Sequence, residues 1–378
     1  MKEELAERLL STVMDWQPED LAREREWLLD MAAYKYDHYR QFSPGMRFIG
    51  SLALWLSQFE EQEERKIAYK FVKERLVFVS HFEMTHLVHM AYPDEIRPWL
   101  IKRAAEEMRI PEWNVGQIVS SAQFRQMRRR CLFLGMSDGA HVDDFRRANK
   151  SEVSHEQVLQ TYDISQRKAS DVQDKLRSDL KELLKSEALD KENTLQTVIL
   201  LDDFSGSGTS IIRKNKGNAS EFEGKMAIVC QALKTNGLGK IVADSDLHVA
   251  IVLYVATEKA RNHLKELCPR ILGDKAKFTL LVVHPFDCKV PLESRIPSDS
   301  PFLSIVAQDR YYDSVVEDDH TRKGGENVKA GFASCSLPVV LTHNTPNNSF
   351  FLLWADPESL KKDLRGLFPR IQRHGGNP

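Results

Sequence analysis

The stretch Val198-Ile199-Leu200-Leu201-Asp202-Asp203-Phe204-Ser205-Gly206-Ser207-Gly208-Thr209-Ser210 decides how this chain reads. Four apolar residues end in two carboxylates, and a turn of small residues leads on to Ile211-Ile212. An apolar run of that length, bounded by turn residues, is a buried strand. Gly206 and Gly208 let the backbone curl so that its N–H groups converge, while Ser207, Thr209 and Ser210 add hydroxyl donors. A helix after the turn adds its positive N-terminal end, and the whole makes a phosphate cradle. Ser205, Gly206, Ser207, Gly208, Thr209 and Ser210 are therefore phosphate- or ribose-binding candidates. Two acids beside such a cradle bind ribose hydroxyls or hold Mg²⁺, directly or through water. The lysine that a Walker A loop places before its Ser/Thr is missing. The plain alternative is an ordinary strand-to-helix turn, with Ser/Thr as cap and Asp as turn residue.

Around this stretch, further short apolar runs occupy residues 131–136, 249–255, 278–283, 339–341 and 350–354. They alternate with helical patterns at 170–184 and 258–267, the signature of an α/β domain with a largely parallel sheet. The first third is different in texture. Pro18-Glu19-Asp20 opens a helical pattern carried by Trp27, Leu28, Met31 and Ala32, and Ser43-Pro44-Gly45 breaks it. Ile49, Leu52, Leu56 and Phe59 form a second apolar stripe, and Ala68, Val72, Leu76 and Val79 a third. Residues 287–331 are polar and Gly/Pro-bearing, and read as a long loop or insertion near the site.

Two other segments share the form of a strand that empties into polar residues. Leu132-Phe133-Leu134-Gly135-Met136-Ser137-Asp138-Gly139 runs into a Gly-bounded turn, with a helix candidate at 142–147. After Leu337-Pro338-Val339-Val340-Leu341 come Thr342-His343-Asn344-Thr345-Pro346-Asn347-Asn348-Ser349, which offer one imidazole, three amides and three hydroxyls. Donors and acceptors in such density suit recognition of a nucleobase, although an Asn/Pro-rich turn between strands has the same composition. In open α/β sheets ligands sit beyond the carboxyl ends of the strands, so three such loops point to one shared rim.

Composition narrows the classes. With 53 Lys+Arg against 55 Asp+Glu the formal net charge is −2, which argues against a binder held to nucleic acid by a global basic field. Five widely spread cysteines without a Cys-x-x-Cys pair give no disulfide framework and no cysteine zinc site. The acidic N-terminus lacks a signal peptide, and no apolar run is long enough to span a bilayer, so the expectation is a soluble cytoplasmic protein.

The run of four apolar residues, two acids and a small turn resembles the phosphoribosyl pyrophosphate signature of type I phosphoribosyltransferases, with Ser207-Gly208-Thr209-Ser210 standing at Thr-Gly-x-Thr. The resemblance implies that Asp202 and Asp203 take the ribose and that Ser207 to Ser210 wrap the 5′-phosphate. Ser137, Asp138 and Gly139 then stand in the place of the family's pyrophosphate loop. Taken in order, Gly135–Ala140, Asp202–Ser210 and His343–Asn348 resemble the phosphoribosyltransferase-like proteins of bacterial conflict (antiphage) systems, over roughly residues 40–378.

Weaker candidates come with ordinary explanations. Glu83, His86 and His89 fall at i, i+3 and i+6 of a helix, where packed or surface histidines are commoner than a metal site. Arg128-Arg129-Arg130 reads as a solvated helix end. Arg213, Lys214 and Lys216 follow the cradle, and Arg146-Arg147 follow the Ser-Asp-Gly turn, where cations neutralise a polyphosphate or merely face water.

The expectation is an α/β protein with a helical N-terminal region, residues 1–115, preceding a parallel-sheet phosphoribosyltransferase-like domain, residues 116–378. It binds phosphoribosyl pyrophosphate or a nucleotide, with Mg²⁺ at Asp202 and Asp203, and transfers or cleaves at the ribose anomeric carbon by positioning and charge neutralisation. In an enzyme the loop after residue 341 holds the base or leaving group over the ribose. His343 thus joins Asp202 and Asp203 as a catalytic candidate, with Asn344, Asn347 and Asn348 for base recognition. The alternative is a non-catalytic nucleotide-sensing module that signals to a partner protein of a defence system. Asp138 beside an anion, and Gly206 where some of these enzymes place an acid, favour that alternative.

Overall fold

A computed structural model describes residues 2–161, 164–184, 194–215, 217–218, 220–235, 237–286, 300–319 and 321–370. Lys216, Cys288 and His320 lie outside them. The chain forms two compact units, residues 84–286 and residues 1–83 with 287–378.

The first of these is built on five parallel strands: β2 (Cys131–Gly135), β3 (Val158–Leu159), β4 (Thr197–Ser205), β7 (Leu247–Ala256) and β8 (Ala276–Pro285), in the order β3-β2-β4-β7-β8. Helices α5 (His81–Met90), α6 (Arg97–Met108), α7 (Val115–Ser120) and α8 (Ala122–Arg129) precede β2 in the chain. Strands buried on both faces need apolar side chains at every position, and β2, β4 and β7 have them through their centres. The pleat sends Leu132, Leu134, Val198, Leu200, Val249, Ile251 and Leu253 to one face. They pack there with Val172, Leu176 and Leu180 of α10 (Gln166–Leu184), Met226 and Val229 of α11 (Lys225–Ala232), and Leu264 and Leu267 of α12 (Glu258–Leu272). Phe133 points the other way, 5.1 Å from the ring of Phe145 in α9 (Val142–Ala148) and 6.4 Å from that of Tyr92. β4 runs on past its apolar core to Ser205, which carries Asp202 opposite Leu253 and Phe204 opposite Val255 of β7.

In the other unit the N- and C-terminal segments make one core. Helices α1 (Glu3–Met14), α2 (Pro18–Tyr34), α3 (Phe48–Ser57) and α4 (Gln62–Glu74) bury their stripes together with Phe302, Phe350 and Phe368. Pro18 stands at the first turn of α2, and Gln17 and Asp20 form its capping box. Phe71 stacks on Phe302 with centroids 3.9 Å apart, and the Trp55 indole donates to the Leu352 carbonyl at 2.7 Å. A two-stranded parallel sheet pairs β1 (Val77–Val79) with β9 (Val339–Leu341).

Several expectations change. The third stripe of the N-terminal region is not one helix: α4 ends at Glu74, and Val79 belongs to β1. Residues 350–354 are not a strand, because Phe351–Trp354 form a helical turn, and a short apolar run fits either state equally well. The described part of 287–331 is not one long loop, since helix Pro301–Val306 and the turns after it bury Phe302, Ile305, Tyr311 and Tyr312 in the core. The division into units falls at residues 83/84 and 286/287, whereas the sequence places it at 115. An amphipathic stripe shows that a helix must be covered but not what covers it.

Candidate functional site

The carboxyl ends of β2, β4 and β7 carry the polar residues of the unit formed by 84–286. At the end of β4 the pleat separates the acidic pair. Asp202 shares the face of Leu200 and is 2% exposed, while Asp203 lies on the opposite face and is partly exposed. Asp202 accepts hydrogen bonds on both oxygens, Oδ1 from the Ser137 hydroxyl and Oδ2 from Lys225 Nζ at 2.7 Å. Burial pushes its carboxyl up, against the pull of the Lys225 ammonium and with the push of the Asp203 charge. Asp203 accepts from the Phe204 amide at 2.8 Å. The backbone at Gly139 passes so close to the Asp203 carboxylate that a Cβ there would displace it.

The segment after β2 is therefore brought to the acids. Ser137 bonds Asp202, Asp138 is exposed, and Asp138–Ala140 form a short 3-10 turn. Tyr254, next but one to the end of β7, donates its hydroxyl to the Ala140 carbonyl at 2.6 Å. Burial, together with the charges of Asp202 and Asp203, holds that phenol well above its ordinary range, so it remains a donor.

The cradle is a compact turn tied by its own hydroxyls. Ser205 Oγ accepts from the Gly208 amide at 3.2 Å, and Ser207 Oγ accepts from the Thr209 amide at 3.3 Å. Thr257, the N-cap of α12, donates to the Gly206 carbonyl at 2.6 Å. Gly208 adopts φ +76°, and His263 of α12 donates to the Ile212 carbonyl at 2.7 Å. Thr209 is partly exposed and Ser210 exposed, whereas Ser205 to Gly208 are buried.

The expected helix does not follow the turn at once. A hairpin of β5 (Arg213–Lys214) and β6 (Phe222–Glu223) intervenes, and α11 starts at Lys225. Arg213 is spent on this hairpin, with Nη2 2.6 Å from Glu223 Oε2. Arg146 bonds Asp143 and His155, and Arg147 is exposed with Asp144 3.9 Å away. Arg129 is no solvated helix end: it is buried between Glu156 and Asp179, and Arg128 pairs with Glu152. Glu83 caps α5 by accepting from the Ser80 amide and pairs with Lys35. Among the described residues no group of three His, Cys, Asp or Glu side chains is placed to hold a metal.

The loop after β9 has a different setting. β9 pairs with β1 and is no strand of the five-stranded sheet, so the first two loops share a sheet rim and this loop, contrary to expectation, does not follow a strand of that sheet. Thr345 donates to the Phe368 carbonyl, Ser349 to the Val339 carbonyl, and the Asn348 amide to the Phe332 carbonyl. His343, Asn344 and Asn347 are partly exposed. Lys225, Thr257, Tyr254 and His263 escape the sequence reading. Nothing in the spacing marks them, because each reaches the site through tertiary packing.

Among the described residues no helix is long and apolar enough to cross a membrane. No curated protein and no solved structure matches the chain. The PRTase-CE family model matches residues 52–370, a span that includes every strand of the parallel sheet and both loops that meet at its acidic pair. The chain belongs to the PRTase-CE family and is a phosphoribosyltransferase-like protein.

Proposed function

We propose that the edge formed by residues 137–139 and 202–210 binds phosphoribosyl pyrophosphate or a nucleotide together with Mg²⁺. The observation that carries this reading is the meeting of the two loops at the acids: Ser137 on Asp202, and Gly139 against Asp203. One loop alone is a turn, whereas two beyond adjacent parallel strands make a cleft for a ligand with two phosphate groups.

Asp203 is the carboxylate for the ribose hydroxyls, since it is partly exposed at the end of β4 while Asp202 is buried. Mg²⁺ keeps much of its shell as water and ligand phosphate and needs only one or two carboxylates, so Asp203 with the ligand suffices to hold it. A bound ion would supply positive charge against the pyrophosphate group. In this reading the turn meets the 5′-phosphate with its more exposed end, the hydroxyls of Thr209 and Ser210. Positioning of the anomeric carbon and compensation of charge then supply the drive for transfer or cleavage, with no covalent nucleophile.

Calorimetric titration of the protein with phosphoribosyl pyrophosphate, in Mg²⁺ and in chelator, tests the reading. Binding in Mg²⁺ that weakens in chelator and is lost in Asp203→Asn is expected, and an unchanged titration in Asp203→Asn overturns it. The absence of an acid at residue 206 favours a second reading, a sensor that binds without turnover. Product analysis by mass spectrometry after hours with ligand, with and without free bases, separates the two. The resemblance to conflict-system proteins supports a role in antiphage defence with a partner protein. Plaque counts on cells carrying wild type or Asp203→Asn test that role.

A further inference from the structure

We infer that Lys225 is a positioning residue for the loop 137–139, so that affinity for a pyrophosphate group depends on its ammonium while affinity for the 5′-phosphate does not. The inference rests on the ligand site proposed for residues 137–139 and 202–210.

Lys225 is fixed by the backbone on either side of it. Gly224 takes φ +104°, and a Cβ there would lie 2.6 Å from the Ile211 carbonyl oxygen. The Lys225 amide donates to the Ser210 carbonyl at 3.3 Å and the Met226 amide to the Ile211 carbonyl at 2.9 Å. These main-chain bonds tie the end of the cradle to the start of α11. They survive any change of the Lys225 side chain. That side chain acts elsewhere, since Nζ reaches Asp202 Oδ2 at 2.7 Å, and Asp202 Oδ1 accepts from Ser137. The chain of contacts therefore runs from α11 through a buried carboxylate to the first residue of the other loop.

A carboxylate that is 2% exposed requires a countercharge and donors on its oxygens. With Lys225 removed Oδ2 loses its donor and the carboxylate its countercharge, so the acceptor that holds the Ser137 hydroxyl is weakened. Ser137-Asp138-Gly139 is then held less firmly against β4, and the amides that face a pyrophosphate lose their placement.

The test compares two probes, phosphoribosyl pyrophosphate and ribose 5-phosphate, on wild type, Lys225→Met and Lys225→Arg, by calorimetry in Mg²⁺. Lys225→Met should weaken phosphoribosyl pyrophosphate by about tenfold, the scale of one lost hydrogen bond to a charged group, and leave ribose 5-phosphate within about twofold. Lys225→Arg should recover most of the loss, which a mere packing defect would not allow. Should Lys225→Met fail to fold, Ser137→Ala cuts the same chain at its other end and should show the same selectivity. Equal weakening of both probes, or none in either variant, overturns the inference while leaving the binding site in place. A wild-type protein that binds neither probe overturns the underlying site and this inference together.

Discussion

Gly208 is a residue whose replacement separates the demands of the fold from those of the ligand. Its φ of +76° is a left-handed conformation, and an added Cβ would lie 2.8 Å from His263 Cδ2 and 3.2 Å from the Ala260 carbonyl oxygen. For Gly208→Ala the left-handed backbone costs about 1–2 kcal/mol. Forcing a methyl group against a packed helix costs about 1–3 kcal/mol more, for a total of about 2–5 kcal/mol. In a unit the size of 84–286 this lowers the thermal midpoint by roughly 4–20 °C, at about 2–4 °C per kcal/mol. Circular dichroism melts of the ligand-free protein measure the shift directly. Part of the penalty comes from His263, so the double variant Gly208→Ala/His263→Ala should show coupling. With the ring gone, the cost of Gly208→Ala should shrink by about 1–2 kcal/mol, leaving the backbone share. His263→Ala alone loses the bond to the Ile212 carbonyl and supplies the reference. A Gly208→Ala protein that melts with the wild type, or a cycle that is strictly additive, would refute the crowding at this turn.

Thr257→Val removes the hydroxyl that donates to Gly206 and accepts from the Ala260 amide, so urea unfolding should show a loss of about 1–2 kcal/mol, the size of a helix N-cap. Asp202→Asn should destabilise the ligand-free protein by leaving Lys225 opposite a neutral amide, whereas Asp203→Asn should barely move the melt and should act on ligand affinity. Phe302→Ala should cost about 3–5 kcal/mol by opening a cavity beneath Phe71 and Phe350. Burial, followed by the charges of Arg103 and Lys277, lowers the His248 pKa to about 4, below its ordinary 6.5. The unfolded chain therefore takes up the proton first, and stability should fall as pH drops from about 6.5 toward 4, an effect that a His248→Gln series of urea midpoints should lack.

The parallel sheet was legible because its central strands are buried on both faces, and even the half-buried edge strand β8 keeps an apolar run. The runs at 131–136, 249–255 and 278–283 lie within a residue or two of β2, β7 and β8. β3 escaped, since two residues leave no pattern. The companionship of distant segments was also beyond reach. Trp55 at 2.7 Å from the Leu352 carbonyl and Phe48 stacked on Phe368 join residues some three hundred positions apart. Periodicity records how a helix is covered and carries no address for the cover, so the first 115 residues read as a region of their own, although residues 1–83 share their core with the C-terminal segment. The same limit explains 350–354, whose burial is plain in the sequence while the choice between turn of helix and strand is not.

At the site, chemistry was easier to read than the division of roles. Asp202 and Asp203 stand side by side in the sequence and look equivalent. A pleated strand cannot present two successive side chains to one face, and β4 continues to Ser205, so the pair is split before it reaches the edge. The side that receives Asp202 is the covered one, with α11 above it, and a buried carboxylate there has to find a cation. Lys225 answers that need from a helix start that the turn at Gly224 sets in place. The other side receives Asp203, partly exposed, beside a glycine of the neighbouring loop whose added Cβ would collide with the carboxylate. The inequality of the two acids thus follows from strand geometry alone. A lysine 22 positions beyond Asp203 becomes part of the site because one of them had to be neutralised.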